Sequence, residues 1–262
     1  MKQGKYKQKL LCLLIAISTI IISSCTRTGN APGAIQGGIE AAPYFKTLLV
    51  IGDDRSGSTS DIRKLKEEDY QALFTAVSEK GGGTVAVCLI GNPHSQNKEP
   101  YLLKLELLQN TVPYDPRDTH LTLTEKSRVK LKNDKINESN KKALEDNQEK
   151  INQYISTVIK NTIIAYKPNG VDHTDLDDAI FRLNTLIHEP GYKDYNNIVV
   201  VMLSDGKNQP VKAVKPITAI LSHLGAKVYL VGWNTGTNCF QTAGLEKFSV
   251  KDGMIEVVKN LK

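Results

Sequence analysis

The chain has 262 residues, enough for one large domain or two small ones, and a formal net charge of +6. Four of its 34 basic residues, Lys2, Lys5, Lys7 and Lys9, crowd the first nine positions, so the basic excess is local and gives no argument for nucleic acid, which asks for a basic patch or stripe. Its four cysteines form no CxxC and no Cys/His cluster, which leaves structural zinc without a ligand set.

The basic start is followed by an almost wholly apolar run, Leu10 to Ile22, and then by Ser23, Ser24 and Cys25. A positive n-region, a short apolar h-region and small residues make a secretion signal. At about 13 residues the run is shorter than the roughly 20 that a permanent spanning helix needs. Ile22-Ser23-Ser24-Cys25 resembles the lipobox of bacterial lipoproteins. That resemblance implies cleavage before Cys25, lipidation of its thiol, and anchoring to the cell envelope at the periplasmic face or in the outer membrane. By the same resemblance Thr26, where an Asp would retain the protein in the inner membrane, favours the outer one. The expected division is a signal peptide over 1–24, a flexible Thr/Gly/Ala/Pro-rich tether over 25–43 and one folded domain over 44–262. Without the signal, 30 basic residues face 28 acidic ones, a net of +2.

Within the domain, apolar strands alternate with amphipathic helices. Thr47–Gly52 reads as a buried strand and Asp61–Lys80 as a helix, with Leu65, Tyr70, Leu73, Phe74 and Val77 on one side. Gly81, Gly82 and Gly83 stop it. Thr84–Ile90 is a second buried strand, and the alternating Tyr101–Leu108 a third, suited to an edge. Asp175–His188 is helical, Ile198–Leu203 is the strongest strand, Ala213–Leu224 a helix, Lys227–Gly232 a strand, and Lys251–Leu261 a closing helix. Strands that are apolar throughout and separated by helices imply a doubly wound, mostly parallel α/β sheet covered on both faces. Its ligand site belongs at the carboxyl ends of the strands. Cys88 falls in a strand and Cys239 in a late loop; whether they pair stays open.

Glu125–Tyr166 exceeds a minimal unit of this kind. Its first half is nearly all charged or amide; its second gains an apolar stripe of Leu144, Ile151, Ile155, Val158 and Ile159. As a single helix it would reach roughly 60 Å. It is either a surface helix docked at one end or a helical arm or hairpin that meets a partner.

Three segments carry the chemistry. Asp53-Asp54-Arg55-Ser56-Gly57-Ser58 follows the first strand, Gly170-Val171-Asp172-His173-Thr174 precedes a helix, and Ser204-Asp205-Gly206 ends the fourth strand. On one edge of a parallel sheet these should meet. Ser56, Ser58 and Thr174 offer neutral hydroxyls, and Asp54 and Asp205 offer carboxylates. Hard oxygens without sulfur suit Mg²⁺, with Mn²⁺ or Ca²⁺ as alternatives. Asp172, His173 and Asp175 lie in position for an outer shell, where the two acids would either strengthen metal binding or repel an incoming carboxylate.

Asp54-x-Ser56-x-Ser58, Thr174 and Asp205 resemble, in kind and order, the metal-ion-dependent adhesion site of von Willebrand factor A and integrin I domains. The resemblance covers roughly residues 44–262. It implies that the hydroxyls ligate a divalent cation, that the aspartates act directly or through water, and that a partner's Asp or Glu completes the shell. The chain departs from it in Asp172-His173 before the threonine, in the long 125–166 segment, and in Ser204 where Thr is commoner. The expected function is a metal-dependent, non-enzymatic protein-binding module on the envelope, with no nucleic-acid partner. The alternatives are a scaffold acting through the 125–166 arm, or a Mg²⁺-dependent hydrolase. The hydrolase would want an acid two residues after Asp54, where Ser56 stands.

Overall fold

The computed structural model describes residues 45–57, 59, 63–91, 99–168, 176–206, 226–232 and 247–261. The chain divides into two units, Met1–Ile39 and Glu40–Lys262, and every described residue lies in the second. Among the described residues six strands form its sheet: β1 Thr47–Asp54, β2 Gly83–Ile90, β3 Tyr101–Leu105, β4 Asn197–Leu203, β5 Lys227–Val231 and β6 Lys247–Phe248. Their order is β3-β2-β1-β4-β5-β6. All neighbours are parallel except β2 and β3. β1, central and buried along its whole length, has the unbroken apolar run of a strand covered on both faces.

Helices α1 Glu67–Lys80, α2 Leu123–Tyr154, α3 Leu176–Ile187 and α4 Val250–Leu261 complete the described elements, with a π-helical segment at Ile155–Ile164 and a short 3₁₀ turn at Pro190–Tyr192. Alternate residues of one strand face opposite ways. Leu49 and Ile51 join Val199, Val201 and Leu203 in a core shared with α1, α4 and the end of the long helix. Leu48 and Val50 join Val200, Met202 and Leu230 under α3. The sheet is therefore wound on both faces, as the alternation of apolar strands and helices predicts.

Most boundaries fall within one or two residues of the sequence reading, and those of α1, β1 and β3 differ instructively. α1 begins at Glu67 rather than Asp61: Lys66 has extended backbone, and the carboxylate of Asp69 accepts from the Lys66 amide, so the first turn is capped there. Leu65 is buried but precedes the helix. β1 runs two residues further and takes Asp53 and Asp54 into the strand. β3 is an edge strand, as its alternation predicts, but ends at Leu105. The expected helix Ala213–Leu224 lies outside the described residues. Gly83 could not be another residue: its φ is +134°, and an added Cβ would stand 2.1 Å from the carbonyl oxygen of Thr47.

The polar segment is one helical run, Leu123–Ile164, whose last ten residues, Ile155–Ile164, are π-helical. Thr157 donates its hydroxyl to the Gln153 carbonyl at 2.7 Å, and Asn161 its amide to Ser156 at 2.9 Å. Side chains that take backbone acceptors in this way loosen the α pattern. Ile151, Ile155, Ile159 and Ile163 are buried every fourth residue. An α-helix rotates such a stripe by about 40° per step, and the wider turn of the π segment rotates it back. Leu144, expected in this stripe, is 36% exposed.

The chain from Glu106 to Val112 runs back along α2 as an extended strap. Asn147, Asn140 and Asn133 each embrace one strap residue with the whole carboxamide. Their Oδ1 atoms accept from the amides of Glu106, Gln109 and Val112 at 2.6, 2.8 and 2.8 Å. Their Nδ2 atoms donate to the carbonyls of the same residues at 3.1, 2.8 and 2.8 Å. Seven helical residues rise about 10.5 Å, and three extended residues span about 10 Å. The two periods match, so the ladder holds register along the arm.

Candidate metal centre

Asp54 is the last residue of β1, opposite Ile90 of β2, and its neighbour Asp53 is opposite Leu203 of β4. Continuing that register brings Ser204 beside Asp54. Asp54 is fully buried, and both of its oxygens are engaged: Oδ1 accepts from the Ser56 amide at 2.9 Å and Oδ2 from the Ser204 hydroxyl at 2.7 Å. Ser204 accepts in turn from the Gly206 amide at 3.1 Å, in a turn where Gly206 has φ +77°. Thr59 ties the first loop together, donating its hydroxyl to the Ser56 carbonyl at 2.8 Å. Ser56 and Asp205 are also buried.

Burial pushes the Asp54 carboxyl up from 3.8 to about 6; the hydroxyls of Ser56 and Ser204 and the Ser56 amide work against the shift, and the negative charge of Asp205 adds to it. A second buried acid thus sits close enough to disfavour the charge of Asp54, and both lie at the carboxyl ends of adjacent parallel strands. Among the described residues no three His, Cys, Asp or Glu side chains gather to hold a metal ion by themselves. A cation between Asp54 and Asp205 therefore needs hydroxyl or water oxygens as well, and Ser56 offers one. This donor set fits a hard divalent cation and no soft one.

Of the five ligands expected from the sequence, the structure brings together Asp54, Ser56 and Asp205. Ser58 and Thr174 lie outside the described residues, as do Asp172, His173, Asp175 and the expected lipid site Cys25. So does Cys239; Cys88 is a free, half-buried thiol whose pKa burial pushes up to about 12.

Two features were missed in the sequence. Ser204 holds the Asp54 carboxylate, and its only signal was its place directly before Asp205 at a strand end. Beneath the loop, Asp53, Arg55 and Tyr70 form a buried polar cluster. Arg55 Nε donates to Asp53 Oδ2 at 2.8 Å and Nη2 to the Leu65 carbonyl at 2.9 Å, while the Tyr70 hydroxyl donates to the same Asp53 oxygen. Burial works against the Arg55 charge, but Asp53 and Tyr70 outweigh it and raise its pKa. Arg55 so pins the metal loop to the segment that leads into α1.

No protein-family model matches the chain, and no curated protein sequence matches it. Among solved structures it is similar to proximal thread matrix protein 1 from the mussel byssus with a zinc-occupied MIDAS motif, at 12% identity and a TM-score of 0.42, covering 82% of this chain and 46% of that one. It is also similar to manganese-loaded TRAP protein of Plasmodium vivax, at 14% identity and a TM-score of 0.42, covering 85% and 74%. The chain thus spans less than half the length of the mussel chain it matches. These likenesses are distant, and the fold class rests on the strand order and two-sided helix packing of this chain itself. That doubly wound fold, with Asp54 and Asp205 on adjacent strand ends, is what the resemblance to von Willebrand factor A domains implies.

Proposed function

We propose that the protein is a metal-dependent binding module that takes an acidic group of a protein partner on a divalent cation. The observation that carries this reading is the convergence of Asp54 and Asp205 at neighbouring strand ends, where Ser204, directly before Asp205, donates its hydroxyl to Asp54. Asp54, Ser56 and Asp205, with Ser58 and Thr174 from the flanking loops, would hold the ion; Mg²⁺ is the expected occupant, with Mn²⁺ or Ca²⁺ as alternatives. The bound ion supplies a Lewis-acidic position for a carboxylate oxygen. The two aspartates balance its charge, and the neutral hydroxyls leave it electron-poor. The reading is of a binding protein rather than an enzyme, because Ser56 stands where a hydrolase of this layout would place its acid/base carboxylate.

On the same reading the partner lies at the bacterial envelope, to which lipid on Cys25 tethers the domain. No helix among the described residues is long and apolar enough to cross a membrane. A second reading, a scaffold acting through the arm, is favoured by the asparagine ladder, which stiffens a projection whose Leu123 and Leu131 are 83% and 58% exposed.

The test is equilibrium binding of the full chain to an immobilised glutamate-rich peptide. The reading expects binding in Mg²⁺ or Mn²⁺ that EDTA abolishes and Asp205→Ala removes. Binding that EDTA leaves unchanged would sink it.

A further inference from the structure

The arm leaves the domain at the end opposite the metal centre. β1 and β2 begin side by side at Thr47 and Gly83, and β3, running the other way, ends at Leu105 opposite Gly83. The strap carries the line of β3 onward, with the Leu108 amide donating to the Gly81 carbonyl at 3.0 Å. Asn147 meets Glu106 at that edge, so the part of α2 before it projects past the starts of the parallel strands, by roughly 36 Å at Leu123. The described chain enters β1 at the same edge, through Phe45 and Lys46. Asp54 and Asp205 stand at the other edge, at the carboxyl ends of β1 and β4.

Charge is concentrated at the tip. Lys126 to Lys135 holds five basic residues and one acid, Asp134, whereas Glu138 to Glu149 holds two basic residues and four acids. The other acids of the tip are turned onto its own groups. Asp115 and Asp118 accept the amides of Arg117 and His120. Glu125 accepts from the Thr122 hydroxyl and amide, with Arg128 adding a weaker attraction. Lys126 donates to the Pro116 carbonyl. Lys130, Lys132 and Lys135 are exposed and form no ion pair among the described residues. Two large apolar side chains, Leu123 and Leu131, are exposed among them. Arg128 and Lys135 share the helix face of Leu131, one turn before and one turn after it.

We propose that the tip of the arm rests on an anionic lipid surface, with Lys130, Lys132 and Lys135 against the headgroups and Leu123 and Leu131 entering the interface. Basic side chains with apolar ones among them are the composition of helices that lie on such surfaces. A hydrated polyanion would use the lysines and leave both leucines in water. The asparagine ladder holds the strap along the arm and stiffens it, so a contact at the tip fixes the attitude of the whole domain. The metal centre, at the opposite end, then faces away from the membrane and toward a partner. That orientation rests on the expected anchorage of the N-terminus; the lipid contact itself needs neither the anchor nor the metal.

The experiment is co-sedimentation of the full chain, in EDTA, with vesicles of phosphatidylcholine alone and of phosphatidylcholine mixed with phosphatidylglycerol. The uncharged vesicles measure what the apolar Leu10–Ile22 run contributes. Lys130→Gln, Lys132→Gln and Lys135→Gln together should weaken binding to the anionic vesicles about tenfold to a hundredfold and leave binding to the uncharged ones unchanged. Leu123→Ser with Leu131→Ser should weaken anionic binding about tenfold. The same lysine-to-glutamine change at Lys66, Lys160 and Lys251, exposed beside the starts of α1 and α4 at the metal end, removes equal charge. It should leave anionic binding within about twofold, because those charges lie beyond the screening length. The proposal is overturned if the tip lysine variant binds anionic vesicles as the parent does, which leaves the arm to a protein partner. It is overturned too if both lysine variants weaken binding equally, or if the leucine variant binds as the parent does. None of these results bears on the metal site, which the EDTA-sensitive binding of a glutamate-rich peptide tests separately.

Discussion

Replacing Arg55 by Met should destabilise the protein by about 3–5 kcal/mol, because it leaves Asp53 as a buried charge without its cation. Asp53 is fully buried, and Arg55 is its nearest positive group at 2.8 Å. The Tyr70 hydroxyl remains to donate to Asp53, but one neutral donor does not replace a guanidinium. Urea denaturation of the single variant measures the loss, and Asp53→Asn combined with Arg55→Met should recover much of it, because the pair is strongly coupled. A single variant within about 1 kcal/mol of the parent would show that the cluster is not a buried ion pair of this kind.

The second large effect is on pH dependence. In the metal-free protein the folded-state pKa of Asp54 lies at about 6, above its ordinary 3.8. The folded state therefore binds the proton more tightly than the unfolded chain does. The stability this gives is full below about 3.8 and is lost as pH rises through 6. Across that window Asp54 alone should remove about 3 kcal/mol. Asp54→Asn has no such proton to lose, so in EDTA its stability relative to the parent should improve by about that amount between pH 4 and pH 7. Parallel stability–pH curves for the two proteins would contradict the assignment. A divalent cation reverses the balance, because it binds the ionised carboxylate and stabilises the folded state by mass action.

Much of this architecture was legible because the strands are buried on both faces. Runs such as Thr47–Val50 and Ile198–Leu203 carry an unbroken apolar signal, and the three glycines after Lys80 mark where α1 must stop. The order of elements then placed Asp54 and Asp205 on one edge of the sheet. Long-range hydrogen bonding was not legible. Asn133, Asn140 and Asn147 stand seven apart in plain view, but among so many polar neighbours that spacing reads as a solvated face. It acquires meaning only once the extended 106–112 strap lies against it. The first residue of α1 was misplaced because Leu65 continues the apolar pattern while still outside the helix. Asp53 and Arg55 were hidden for another reason: charged residues beside a candidate site suggest solvent, and here one pairs with the other under the loop.

The most direct measurement of the central claim is calorimetric titration of Mg²⁺ and Mn²⁺ into the metal-free full chain, beside the Asp54→Ala, Asp205→Ala double variant. Saturable one-to-one binding to the parent, lost in the variant, is the predicted result. A well-folded parent that takes up neither ion, or a variant that binds as the parent does, would contradict a cation site between these two strand ends.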